Sequence, residues 1–180
     1  IENEYNKLSM SSKRASTFSH YENDFIFGYE NNYKNLSYDV NLKYLYYPES
    51  DNTGGIEAGV LFKYPLREDK DKVGISVETY LNDVYFMNKG DTYIELNYEN
   101  VLAPTYYLNL FAGFSYFKED CKYVKNSTED FVFRHATIEV AHALDEKEQI
   151  FGWMQYIVGG KDRFSENQKN LVVAGLSYNF

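Results

Sequence analysis

Cysteine occurs once in the 180 residues and proline three times. The lone Cys121 excludes an internal disulfide framework and any multi-cysteine metal cluster, and it leaves the redox compartment open. Scarce proline against 19 tyrosines and 13 phenylalanines excludes collagen-like, proline-linker and disordered classes. Mean hydropathy is −0.54, and apolar runs fall short of the ~18 residues that a membrane-spanning helix requires. A helical membrane protein is therefore excluded. Positive charge is also in deficit: 18 Lys and Arg face 27 Asp and Glu, a formal net charge of −9. Such a field repels phosphate backbones, so nucleic acid is not an expected partner. The length suits a single domain, 1–180, with residues 1–12 read as irregular or as a truncated strand. Opening at Ile1, with neither Met nor a charged-then-apolar leader, reads as a processed or truncated chain and leaves a secreted origin allowed.

What the chain has in abundance is alternation with period two, the mark of half-buried strands. Between Leu36 and Tyr46, Leu36, Tyr38, Val40, Leu42, Tyr44 and Tyr46 are apolar, while Ser37, Asp39, Asn41 and Lys43 interleave. The split recurs with Ile56, Ala58, Val60, Phe62 and Tyr64 against Glu57, Gly59 and Lys63. It recurs with Val73, Ile75 and Val77 against Gly74, Ser76 and Glu78, and with Ile94, Leu96 and Tyr98 against Glu95, Asn97 and Glu99. Tyr106–Tyr116, Ala136–Ala141 and Val172–Phe180 repeat it. Strands are predicted near 13–20, 24–32, 36–47, 55–66, 72–84, 91–101, 105–117, 131–144, 149–160 and 169–180. Most run roughly 10 to 14 residues, longer than the usual strand of about 5 to 6 and close to what a tilted strand needs to cross a bilayer. The expected fold is all-β: an antiparallel up-and-down transmembrane β-barrel of about ten strands, within a range of eight to twelve. Its competitor is a soluble up-and-down barrel whose apolar face turns inward around a ligand.

Connections alternate in length. Counting back from Phe180, 161–168 is long, 145–148 short, 118–130 long, 102–104 short, 85–90 longer, 67–71 short, 48–54 longer and 33–35 short. Transmembrane barrels place short turns on the periplasmic side and longer loops outside, so Phe180 is expected at the periplasmic end. Tyr44, Tyr46 and Tyr116 then fall toward the outer rim. Tyr64, Tyr106, Tyr178 and Phe180 fall toward the inner one, where aromatic girdles belong.

The last eight residues, with Gly175, Tyr178 and the terminal Phe180, resemble the C-terminal assembly signal of Gram-negative outer-membrane proteins. Val173 departs from it at a position where a polar residue is commoner. A narrower likeness runs from Ala15 to about Tyr116 and through the final strand. The segments Asp24-Phe-Ile-Phe-Gly-Tyr-Glu-Asn31, Leu36-Ser-Tyr-Asp-Val40, Tyr44-Leu-Tyr-Tyr-Pro48, Tyr93-Ile-Glu-Leu96 and Leu108-Asn-Leu-Phe-Ala-Gly-Phe-Ser115 resemble the TorF family of porins. The resemblance implies a place in the bacterial outer membrane, contact with outer-membrane lipid and lipopolysaccharide, assembly through the strand ending at Phe180, and no cofactor. It also implies that the family's N-terminal pair of strands is absent or cut short before Ile1, which sets the strand number between ten and twelve.

With the apolar set facing lipid, the expected pore-lining residues are Asp39, Asn41, Lys43, Glu57, Lys63, Glu78, Glu95, Asn97, Glu99 and Glu139, joined by Asn82 and Asn109. Carboxylates outnumber ammonium groups there, and a low-dielectric wall focuses their field on passing cations. The expected activity is passive diffusion of small hydrophilic solutes with a weak preference for cations. Against it stands a lumen closed by pairing of Lys43, Lys63 and Arg134 with those carboxylates. The alternative function is a non-conducting structural or adhesive barrel acting through loops 48–54, 118–130 and 161–168.

A third reading, an outer-membrane lipid hydrolase, would use His135 as base, Thr137 as nucleophile and Glu139 as orienting acid, all on one face. Threonine rarely serves this way and the set faces the lumen, so no enzyme is expected. His142 is placed at the inner rim and His20 in or near an outer loop. Glu49-Ser-Asp51 and Glu119-Asp120-Cys121 read as solvated loop acids rather than a cation site. Cys121 reads as an exposed or partner-pairing thiol. Asn126-Ser-Thr128 is a chance sequon, and Trp153 is assigned to packing or interface anchoring ahead of a ligand platform.

Overall fold

The computed structural model describes residues 5–14, 20–46, 54–67, 70–119 and 122–178. Their strands are β1 (Tyr5–Arg14), β2 (His20–Tyr33), β3 (Leu36–Tyr46), β4 (Gly55–Arg67), β5 (Asp71–Tyr80), β6 (Thr92–Ala103), β7 (Tyr106–Tyr116), β8 (Phe131–Ala143), β9 (Ile150–Gly159) and β10 (Leu171–Tyr178). Each strand pairs antiparallel with its neighbour in sequence, giving one open up-and-down sheet. Among the described residues β1 and β10 share no ladder, and none is helical.

Two strand limits differ from the alternation. The strand expected at 13–20 lies at Tyr5–Arg14, paired with β2 from Tyr5↔Glu30 to Lys13↔Glu22. Ser9, Ser11 and Ser12 dilute the apolar pattern there, so backbone pairing rather than side-chain period marks it. His20, placed near a loop by sequence, opens β2. The strand expected over 72–84 stops at Tyr80. Gly90 N–H returns to Tyr80 O at 2.8 Å and Val84 bridges Met87, making 81–91 an internally bonded loop. Asn82, expected in the pore wall, ties this loop to β4 instead. Its Oδ1 accepts from Ile56 N–H at 2.7 Å and its Nδ2 donates to Gly54 O at 2.9 Å.

The two faces of the sheet are chemically distinct. Val40, Leu96 and Ile138 are 47%, 46% and 52% exposed on one face, whereas Asp39 and Glu57 on the other are 5% and 8% exposed. This is the reverse of a soluble barrel with its apolar side chains inward. The polar face is concave, since Lys72 on β5 and Ser177 on β10 border one cavity. In β8 the alternation changes phase, because Phe131 and Phe133 are odd-numbered while Ala136, Ile138 and Val140 are even. A bulge absorbs the change: Phe114 pairs with Phe133 and Gly113 with His135, leaving Arg134 extra. Both Phe133 and Ile138 thus stay on the exposed face.

Short turns at 34–35, 104–105 and 144–149 gather at one end of the sheet, here the turn end, where Lys70 N–H also returns to Arg67 O at 3.2 Å. The longer connections 81–91, 122–130 and 160–170 gather at the other, the loop end. The most enclosed side chains, Val84, Asn88 and Asp91, all belong to loop 81–91, with Leu45, Phe117 and Val132 also buried at this end.

Candidate functional site

The concave wall is a set of cross-strand polar contacts. Register sets Lys43 of β3 opposite Glu57 of β4, and its Nζ lies 2.9 Å from Glu57 and 3.5 Å from Glu78 on β5. Lys63 meets Glu99, two strands away, at 2.6 Å. Asn41 Nδ2 donates to Asp39 at 2.6 Å. Lys43 and Lys63 therefore pair with wall carboxylates as the closed-lumen reading expects, but Arg134 does not. It donates to Lys161 O at 2.9 Å and lies 5.7 Å from the centre of the Phe117 ring.

Farther round the wall, Tyr93 OH donates to Glu95 at 3.0 Å and lies 2.7 Å from His135 Nε2. His135 Nδ1 lies 3.4 Å from Thr137 Oγ1. Gly113 makes room for this line, because a Cβ there would sit 2.5 Å from Tyr93 OH and 2.7 Å from His135 Nε2. The orienting contact assigned to Glu139 is made elsewhere: Glu139 accepts from Asn109 Nδ2 at 2.7 Å and from Gln155 Nε2 at 2.5 Å. Thr137 is only 6% exposed. The hydroxyl–imidazole contact is long, and it belongs to a strip of polar contacts running across β6, β7 and β8. Glu95 and Glu139 have no cationic partner among the described residues.

At the turn end the wall encloses a cavity of about 620 Å³ bordered by β5 through β10. Glu99, Asn109 and Glu139 line it, and so do Tyr107, Phe151 and Trp153, which the sequence reading did not place in the wall. Trp153 pairs with Ala141 on one side and Gly175 on the other. It therefore faces inward rather than anchoring an outer interface. Gly175 is the residue its ring requires: a Cβ there would lie 2.5 Å from Trp153 Cζ2. The usable signal was phase, since Phe151 and Trp153 share parity with Gln155 in the same strand. Asn97, inward as expected, lies across Gly74. His142 is at the turn end on the opposite face, stacked 4.2 Å from Tyr106, with Nδ1 donating to Thr105 O at 3.1 Å.

At the loop end three connections are tied together. Asp91 accepts from Asn88 N–H at 2.7 Å and Lys118 N–H at 2.8 Å, and it pairs with Arg163. Arg163 also lies 4.5 Å over the Phe117 ring. Asn88 Nδ2 donates to Lys118 O and Val124 O at 3.1 and 3.0 Å. The Ser165 hydroxyl and then Lys161 hold the Glu129 carboxyl below its ordinary pKa. Lys118 and segments 122–130 and 161–168 thus pack against loop 81–91. Residues 48–53, Asp120, Cys121 and Phe180 lie outside the described residues. No family model, curated protein or solved structure matches this chain.

Proposed function

We propose that the chain is a β-barrel of the bacterial outer membrane, TorF-like, that passes small hydrophilic solutes with a weak preference for cations. The observation that carries the reading is the exposed apolar face backed by a hydrogen-bonded polar one. In water that face is an unfavourable surface, whereas against acyl chains it is the low-energy arrangement. Its ends support the same environment. Tyr44, Tyr46, Tyr116 and Phe131 are exposed near the loop end, and Tyr33, Tyr64, Tyr106 and Tyr178 near the turn end, with aliphatic side chains such as Val40, Leu96 and Ile138 between them. Tyr106 and Tyr116 bracket the 11 residues of β7. At about 3.3 Å per residue and a tilt near 40°, the band between them is about 25 Å tall, the height of an outer-membrane apolar belt.

A strand edge in lipid leaves N–H and C=O groups unsatisfied, so the reading requires the β1 and β10 edges to be paired in the membrane. Slow amide exchange along β10 in lipid nanodiscs is the expected result, and fast exchange at alternate β10 amides contradicts closure. Cation preference comes from Glu95 and Glu139, which have no cationic partner among the described residues, together with the field of the remaining wall acids. Single-channel recording in planar bilayers tests the function. Glu95→Gln with Glu99→Gln is expected to lower the cation-to-anion permeability ratio.

The second reading is a non-conducting barrel acting through its loops, favoured by the packed layer of Asp91, Asn88 and Arg163. Absence of current from protein shown to be inserted supports that reading and ends the pore.

A further inference from the structure

We infer that the turn-end cavity is a binding site for a saccharide. This deepens the pore reading and rests on it, since the cavity opens into the concave face that would form the channel. A pyranose ring offers an apolar C–H face and a rim of hydroxyls that each donate and accept. Its complement is a flat aromatic surface beside planar groups with both capacities. Trp153 supplies the surface, laid against the bare backbone of Gly175. Tyr107 and Phe151 pack edge to face beside it, with centroids 5.7 Å apart. The polar rim is Asn109 and Glu139, where Asn109 Nδ2 donates to one carboxylate oxygen and Gln155, outside the cavity, holds the other. Asn109 keeps its carbonyl and a second N–H for ligand hydroxyls, and the carboxylate keeps further lone pairs.

Charge selects against a cation, because two ammonium groups face the single unmatched carboxylate of Glu139. Lys70 and Lys72 line the cavity together with Glu99, Glu139 and Asp71. Two of those acids are already matched, Glu99 by Lys63 and Asp71 by Arg67. Its 620 Å³ falls within the range of small-ligand pockets.

Trp153 is the only tryptophan in the chain, so intrinsic fluorescence reports this site alone. In detergent-solubilised, folded protein, titration with maltotriose is expected to shift Trp153 emission saturably, and tetramethylammonium is expected to bind at least tenfold more weakly. Glu139→Ala is expected to raise the maltotriose Kd at least tenfold. Trp153→Ala, followed by calorimetry, is expected to raise it as much. Asn109→Ala, which leaves the aromatic surface intact and is expected to weaken maltotriose likewise, is the check should either variant misfold. Absence of a saturable response, or tighter binding of tetramethylammonium, overturns the inference. A response only to a glycolipid headgroup overturns the assignment to free saccharide. The two readings fail separately: conduction without maltotriose binding removes the site and leaves the pore, while binding without conduction leaves the site and removes the pore.

Discussion

At the loop end, buried Asp91 collects two backbone N–H groups and the buried Arg163 guanidinium from three different connections. At the turn end, connections of a few residues cannot fold over the sheet, and a cavity of about 620 Å³ stays open beside Trp153. Loop length alone accounts for the contrast. A loop of about ten residues has enough backbone to satisfy its own polar groups while burying side chains, and a two-residue turn does not. One end of the sheet is therefore a packed layer and the other a receptacle. In the proposed orientation the packed layer faces outward and the receptacle faces the periplasm.

The strongest way to break this contrast is Asp91→Ala, which strands the buried Arg163 and two N–H donors. A loss of about 3–5 kcal/mol is expected, read as a lower urea midpoint, with larger unitary current as the loops separate. An unchanged midpoint would show that the loop layer is not the better-packed end. Next in size, Ile138→Arg places a charge in the middle of the exposed apolar face. It is expected to cost about 2–4 kcal/mol for folding into phospholipid vesicles. In a protein whose apolar face met water the same change would be nearly neutral, so this variant separates the two environments.

The smallest effect belongs to the turn end. Asp145 accepts N–H bonds from Ile150 at 2.7 Å and Gln149 at 2.8 Å, and these backbone bonds hold its carboxyl below the ordinary value. A depressed carboxyl stabilises the fold above its unfolded pKa of about 3.9 and loses that contribution as pH falls through the folded value. The stability gap between the protein and Asp145→Ala is expected at pH 7 and should narrow on acidification below about pH 4. A gap unchanged by pH would assign the turn's strength to packing instead.

Strand positions from Leu36 onward were largely legible because the side-chain period of a strand is a property of its backbone. The cases that escaped have physical causes. In Tyr5–Arg14 serines interrupt the apolar series, and at 81–91 apolar Leu81 and Val84 continued the pattern past the point where the backbone turned on itself. The interior carboxylates were legible by parity, whereas the inward aromatics Tyr93, Tyr107, Phe151 and Trp153 were not. Aromatic side chains suit either face, so in Tyr106-Tyr107 the pattern names no side until a paired neighbour such as Asn109 does. His135, Thr137 and Glu139 share a face as expected, but their partners come from β6, β7 and β9.

By itself the amino-acid sequence determined which side chains share a face and which connections are long, because both depend only on local spacing along the chain. Which carboxylates are neutralised, where Trp153 points and what Asp91 holds were decided by tertiary structure. Each of these contacts joins residues on different strands or loops, and only the register of the sheet and its curl bring them within reach.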